Sequence, residues 1–125
     1  MDNEINEIKA QSVAWLKNNL NFYRMDSQTI EVETPLIDSF GQNIYCFIIK
    51  KGEYYLISDG GWFLFKLDPD VSDSDFYNQA VDIIIGTGFE IDEETGEFFM
   101  EVSIDELPLA LNQLAQLQVA LSYLK

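Results

Sequence analysis

Asn43-Ile44-Tyr45-Cys46-Phe47-Ile48-Ile49-Lys50-Lys51-Gly52-Glu53-Tyr54-Tyr55-Leu56-Ile57-Ser58-Asp59-Gly60-Gly61 is the stretch that decides the fold. Residues 43–49 are apolar on both faces. Ile44, Cys46 and Ile48 point one way, and Tyr45, Phe47 and Ile49 the other, which predicts a central strand covered on both sides. Lys50-Lys51-Gly52-Glu53 reads as a hairpin loop with a glycine available for positive φ. Tyr54–Ile57 is the return strand. Two strands joined directly, with no helix between them, make an antiparallel pair and argue against the strand–helix alternation of a parallel sheet. Ser58-Asp59-Gly60-Gly61 then breaks the strand, and Trp62–Leu67 is a short helical or irregular apolar segment.

Upstream, residues 4–20 carry Ile5, Ile8, Trp15, Leu16 and Leu20 at helical spacing, with Ser12 completing the stripe and Val13 on its flank. Thr29–Glu33 alternates with period two and predicts a half-buried strand, ended at Thr34-Pro35 because proline donates nothing to a ladder. Residues 38–42 form a turn. Downstream, Asp68-Pro69-Asp70 is a break. Ser72 reads as the N-cap of a helix that runs to Gly86, with Asp73 and Asp75 in its first turn. Residues 88–91 and 97–102 make a second hairpin around Asp92–Gly96. Ser103 to Glu106 matches a capping box, and Asp105 as N-cap with Pro108 in the first turn fits equally well. Leu107, Leu111, Leu114, Leu117, Leu121 and Leu124 then stripe the last helix. The expected architecture is one α+β domain over residues 1–125. Its sheet is mainly antiparallel, with about five strands and N-terminal, middle and C-terminal helices in the order α-β-β-β-α-α-β-β-α.

The chain has 125 residues, 47% of them apolar and 14% aromatic, enough for a real core and against disorder. Its net charge of -15 is unevenly placed. Residues 67–124 hold thirteen carboxylates and no base. Charge of this kind repels nucleic acid and anionic membrane and attracts basic protein surfaces. Cys46 is the one cysteine and reads as a buried small hydrophobe. The acidic start lacks a secretory signal and no run is long enough to span a bilayer, so a cytoplasmic protein is expected.

There is no histidine, which removes imidazole acid–base chemistry, histidine triads and most zinc sites. An EF-hand register starting at Asp68 places Asp73 where glycine is needed and Gln79 where glutamate is needed. Pro69-Asp70 lacks the Glu-X-Lys that a metal nuclease pattern requires. The many carboxylates make no specific glycosidase pair, and no glycine-rich phosphate loop is present. The expectation is a protein without catalytic residues, metal or cofactor.

The strings Glu33-Thr34-Pro35-Leu36 and Tyr54-Tyr55-Leu56-Ile57-Ser58-Asp59-Gly60-Gly61, followed by the leucine-rich closing helix, resemble a family of small uncharacterised proteins. These occur in bacterial and phage genomes and are catalogued as a domain of unknown function. The resemblance covers most of the chain and carries no catalytic residue. It implies a mobile-element setting, where acidic inhibitors of nucleic-acid enzymes are common.

The leading expectation is a non-enzymatic acidic binding protein, a phage-type inhibitor that occupies a partner's basic nucleic-acid-binding surface by mimicry. It would bind neither nucleic acid nor membrane directly. Glu90, Asp92, Glu93, Glu94, Glu97 and Glu101 are the candidate contact residues, with Asp68, Asp70, Asp73 and Asp75 as a second group. The alternative is a structural or regulatory interaction module, homodimeric in one version. It would dock through a hydrophobic anchor at Trp62 and Phe63 or through the leucine-rich helix.

Overall fold

The computed structural model describes residues 2–125. Among them the chain forms α1 (Asn3–Asn19), β1 (Asn21–Arg24), β2 (Thr29–Ile37), β3 (Asn43–Lys51), β4 (Tyr54–Ser58), α2 (Phe63–Leu67), α3 (Ser74–Gly86), β5 (Glu90–Ile91), β6 (Phe98–Val102) and α4 (Leu107–Ser122). The fold is α+β. One sheet of six strands runs in the order β1-β2-β3-β4-β6-β5, and every neighbouring pair is antiparallel.

The 43–57 hairpin is the middle of that sheet, with Ile48 opposite Ile57 and Lys51 opposite Tyr54. Helix α4 covers one face. Its Leu111, Leu114, Leu117 and Leu121 pack in one core with Val32, Ile44, Cys46, Ile48, Ile57 and Val102. Each such leucine stabilises the fold by roughly 2 kcal/mol through burial. The leucine stripe is therefore occupied inside the molecule and is not a free docking face.

The other sheet face is open, contrary to the expectation of cover on both sides. Tyr45 is 40% exposed, and Phe47 and Ile49 are half-buried. Strand β4 stops at Ser58, opposite Phe47, so residues 43–46 of β3 have no β4 partner. Gln118 of α4, itself buried, donates its side-chain amide to the Tyr45 carbonyl (3.1 Å) and touches the Cys46 sulfur (3.5 Å). It satisfies a backbone acceptor that the ladder has left behind. Ser39 donates its N–H to the Ser122 hydroxyl and its hydroxyl to the Ser122 carbonyl, which pins the end of α4 to the β2–β3 turn.

Several sequence expectations change. The tetrapeptide β1 pairs with β2 and makes the sixth strand. Strand β2 continues through Pro35 to Ile37. The ladder shifts register between Glu33 and Ile37, so the proline lies at an irregularity where its missing N–H is not required. Asp73 caps α3 in place of Ser72, accepting from the Phe76 N–H at 2.9 Å. Helix α4 starts after Glu106, whose carboxylate reaches back to the Ser103 N–H and hydroxyl, so Asp105 is not the cap. No described residue of α1 is buried.

Candidate functional site

The Asp59-Gly60-Gly61 turn sets the geometry around the acidic half. The Asp59 carboxylate is buried and accepts three backbone N–H bonds. One oxygen takes Gly61 (3.1 Å) and Phe98 (2.9 Å), and the other takes Phe63 (3.1 Å). This one side chain shapes the turn, starts α2 and ties it to β6. Burial raises its pKa to about 6, with Glu97 adding repulsion, against the lowering effect of the three N–H donors.

Helix α2 then presents its residues unevenly. Trp62 is 69% exposed and Phe65 is 51% exposed, whereas Phe63 is buried edge-on against Phe98 at 6.4 Å between ring centres. Phe63 is a core residue, which corrects its reading as an anchor, and Phe65 stands outside in its stead. Lys66, from the same helix, reaches the buried Asp38 at 3.1 Å. Burial alone would raise the Asp38 carboxyl. The Gln42 N–H, the Lys66 ammonium and the Phe40 N–H outweigh it and hold the pKa below the usual range.

The α2–α3 loop is folded by Asp68, whose carboxylate accepts from the N–H groups of Ser72 (3.4 Å) and Asp73 (3.0 Å). This pushes Val71 into a left-handed conformation at φ +49° with its side chain in solvent. A β-branched residue there costs on the order of 1–2 kcal/mol. Val71→Gly is expected to raise stability by about 0.5–1 kcal/mol in urea denaturation, because strain relief exceeds the added chain entropy.

The β5–β6 turn is built the same way. Asp92 accepts from Glu94 (2.9 Å) and Thr95 (3.4 Å), leaving Glu93 and Glu94 exposed at the tip. The two turns face each other. Asp68 and Val71 on one side, and Glu93, Glu94 and Thr95 on the other, border a groove of about 270 Å³ floored by Leu64, Phe65, Phe76 and Tyr77. The Tyr77 hydroxyl is buried without a hydrogen-bond partner among the described residues. Burial first, then Glu93 and Asp92, raise its pKa. Next to this groove, Trp62, Phe65, Thr95 and Glu97 border a second hollow of about 330 Å³.

The predicted residues fall into groups. Asp68, Glu93 and Glu94 share the groove. Glu97 stands beside Trp62 and accepts from the Ser58 hydroxyl. Glu90 and Asp92 lie round the corner of the β5–β6 turn with Glu93 and Glu94. Asp73 is engaged by its capping bond and by Lys125 at 2.8 Å. Asp70 is exposed beside Val71, and Asp75 is exposed in the first turn of α3. Glu101 lies opposite Leu56 on the open sheet face. Phe65, Val71 and Tyr77 were missed by the sequence reading; the apolar residues flanking the acids were the one available sign of them.

Among the described residues no group of three or more histidine, cysteine or acidic side chains is arranged to hold a metal ion. None of their helices is long and apolar enough to cross a membrane. Burial pushes the Cys46 thiol up to about 12, which keeps it protonated. A family model matches the chain over residues 34–121. No curated protein and no solved structure matches it.

Proposed function

The chain belongs to that family, the domain of unknown function DUF1828, and from its own residues we propose that it is a non-enzymatic binding protein for a basic protein surface. The carrying observation is the convergence of Asp68 with Glu93 and Glu94 across one apolar groove. Carboxylates alone offer long-range attraction that salt screens. Carboxylates round a partly apolar floor, with Trp62 and Phe65 exposed nearby, also offer a short-range anchor. A lysine- or arginine-rich segment suits both, because its aliphatic stems pack on the floor while its charged ends meet the rim. The turns that carry the acids are held by the Asp68 and Asp92 carboxylates, which accept backbone N–H bonds within them, so little ordering cost is incurred on binding.

The partner surface is of the kind that ordinarily holds nucleic acid, whose phosphates are spaced at about 1.7 Å of axis per charge. Occupying it would block it, the action of a phage-type inhibitor within the cytoplasm. The test is capture of basic nucleic-acid-binding proteins from a lysate by the immobilised chain, with duplex DNA as competitor. Duplex DNA is expected to displace the captured protein, and raising salt to about 0.5 M to reduce capture at least tenfold. A double variant, Glu93→Lys with Glu94→Lys, is expected to lose capture to the same degree. Capture that survives the charge reversal would refute the proposal.

A further inference from the structure

Two uncovered faces of this chain match each other. Helix α1 projects from the fold with Ile5, Ile8, Val13, Trp15 and Leu16 each more than half exposed. A helix of 17 residues is marginal in water without tertiary cover. Its stripe contains one charge, Lys9, which lies one residue beyond Ile8 and one turn before Ser12 and Val13. The second face is the side of the sheet opposite α4, where β1, β2 and β3 place Tyr23, Glu31 and Phe47 in one cross-strand row, with Glu33 and Tyr45 in the next. Tyr23 and Tyr45 are exposed and Phe47 is half-buried. The Glu33 carboxylate is engaged by Asn21, Tyr23 and Tyr45. Glu31 makes no side-chain hydrogen bond and no ion pair among the described residues, so it stands as an uncompensated acid on an aromatic surface.

We infer that α1 is an exchange arm that lies on the open sheet face of a second copy of this chain, with Lys9 over the partner's acidic row. The apolar stripe of the helix fits the aromatic rows of β1 to β3, and its single cation fits Glu31, the free carboxylate within those rows; Glu101, on the same face, lies beyond β3 and β4 on β6. Lengths also agree: α1 is about 25 Å long, and the nine-residue strands β2 and β3 are about 30 Å long. The chain's own arm meets its own sheet only at β2, and no described residue of the helix is buried there. Leu20 alone joins α1 to β1, a span of at most about 7 Å, whereas packed layers sit roughly 10 Å apart. Leu20 is also packed against the core, which fixes the root of the arm. Reciprocal exchange between two copies forms two identical contacts. A stable dimer interface buries about 1,200–2,000 Å² in total, which the two helix–sheet contacts together have to supply. This surface is separate from the groove at Asp68 and Glu93.

The test starts with light scattering on the full chain at about 100 µM. The expected mass is twice 14.4 kDa. Ile8→Asp and Trp15→Asp lie on a helix with no buried residue, so both should leave the cooperative urea unfolding of the sheet and α4 intact and weaken dimerisation at least tenfold. Lys9→Glu should weaken it similarly, and adding Glu31→Lys should restore it. Site pairing is then read by crosslinking in a Cys46→Ala background. One copy carrying Lys9→Cys and another carrying Glu31→Cys are expected to link when mixed. A monomeric wild-type chain overturns the proposal. So do a dimer that resists both aspartate variants, a failure of Glu31→Lys to rescue, and linkage between two Lys9→Cys copies in preference to the mixed pair.

Discussion

Asp59→Ala is expected to destabilise the fold by ~3–5 kcal/mol, measured as the loss of unfolding free energy in urea at neutral pH. The magnitude follows from what the carboxylate holds. Three N–H groups, on Gly61, Phe63 and Phe98, converge on its two oxygens. Phe63 and Phe98 are core residues, so their N–H groups would be left without a partner where water has little access. An orphaned buried donor costs about 1–3 kcal/mol. The same residue sets a pH dependence. Its folded pKa of about 6 lies above the ordinary value of 3.8, so between those pH values the native state keeps a proton that the unfolded chain has released. Stability therefore falls as pH rises from about 4 to about 6, by up to roughly 3 kcal/mol. Asp38 acts with the opposite sign. Its lowered pKa contributes stability above the unfolded value that is lost as pH falls through the folded one. Asp59→Asn should flatten the slope between pH 4 and 6 and leave the acid limb from Asp38 in place. An unchanged slope in Asp59→Asn would show that Asp59 is ionised throughout that range.

The parts of this fold that were legible in the chain are those whose signal is local and repeated. The 43–57 hairpin declares itself by a continuous apolar run, a Gly-containing turn and a second run. The stripe of α4 recurs through four turns, and its leucines meet the core as expected. Strand β1 carried no such signal. Asn21-Phe22-Tyr23-Arg24 is too short to show a period, and it is a strand because β2 offers it an edge. Pro35 was misleading because a rule about donors holds only where the ladder needs one, and the register shift removes that need. In the same way, the periodicity of α1 showed an apolar face without showing what covers it. Trp62 and Phe63 are neighbours of similar character, and which of them is buried depends on where Asp59 fixes the first turn of α2. The groove was least visible. Asp68 and Glu93 are far apart along the chain, and they meet because α2 and α3 pack where β4 ends and the β5–β6 turn returns beside them.

Gly60→Ala is expected to cost ~2–4 kcal/mol, and Gly61→Ala next to it only about 1 kcal/mol. Both glycines hold left-handed backbone, at φ +84° and +83°, so both substitutions incur a similar conformational penalty of about 1 kcal/mol or slightly more. Surroundings separate them. A β-carbon on Gly60 would meet the Phe47 ring at 2.7 and 2.8 Å, well inside contact distance, whereas one on Gly61 would find only the Glu97 side chain at 3.7 Å. Phe47 is paired with Ser58 on the adjacent strand, so its backbone does not yield and the ring must swing. That assigns the excess cost to one contact, which a double-mutant cycle isolates. In a Phe47→Ala background the penalty of Gly60→Ala should drop to that of Gly61→Ala. Equal penalties in the wild-type background would mean that the ring moves freely. The Phe47 ring belongs to the open sheet face, so a displaced ring also alters the surface on which the partner's arm is placed. Gly60→Ala should then weaken self-association beyond its effect on stability, while Gly61→Ala should not.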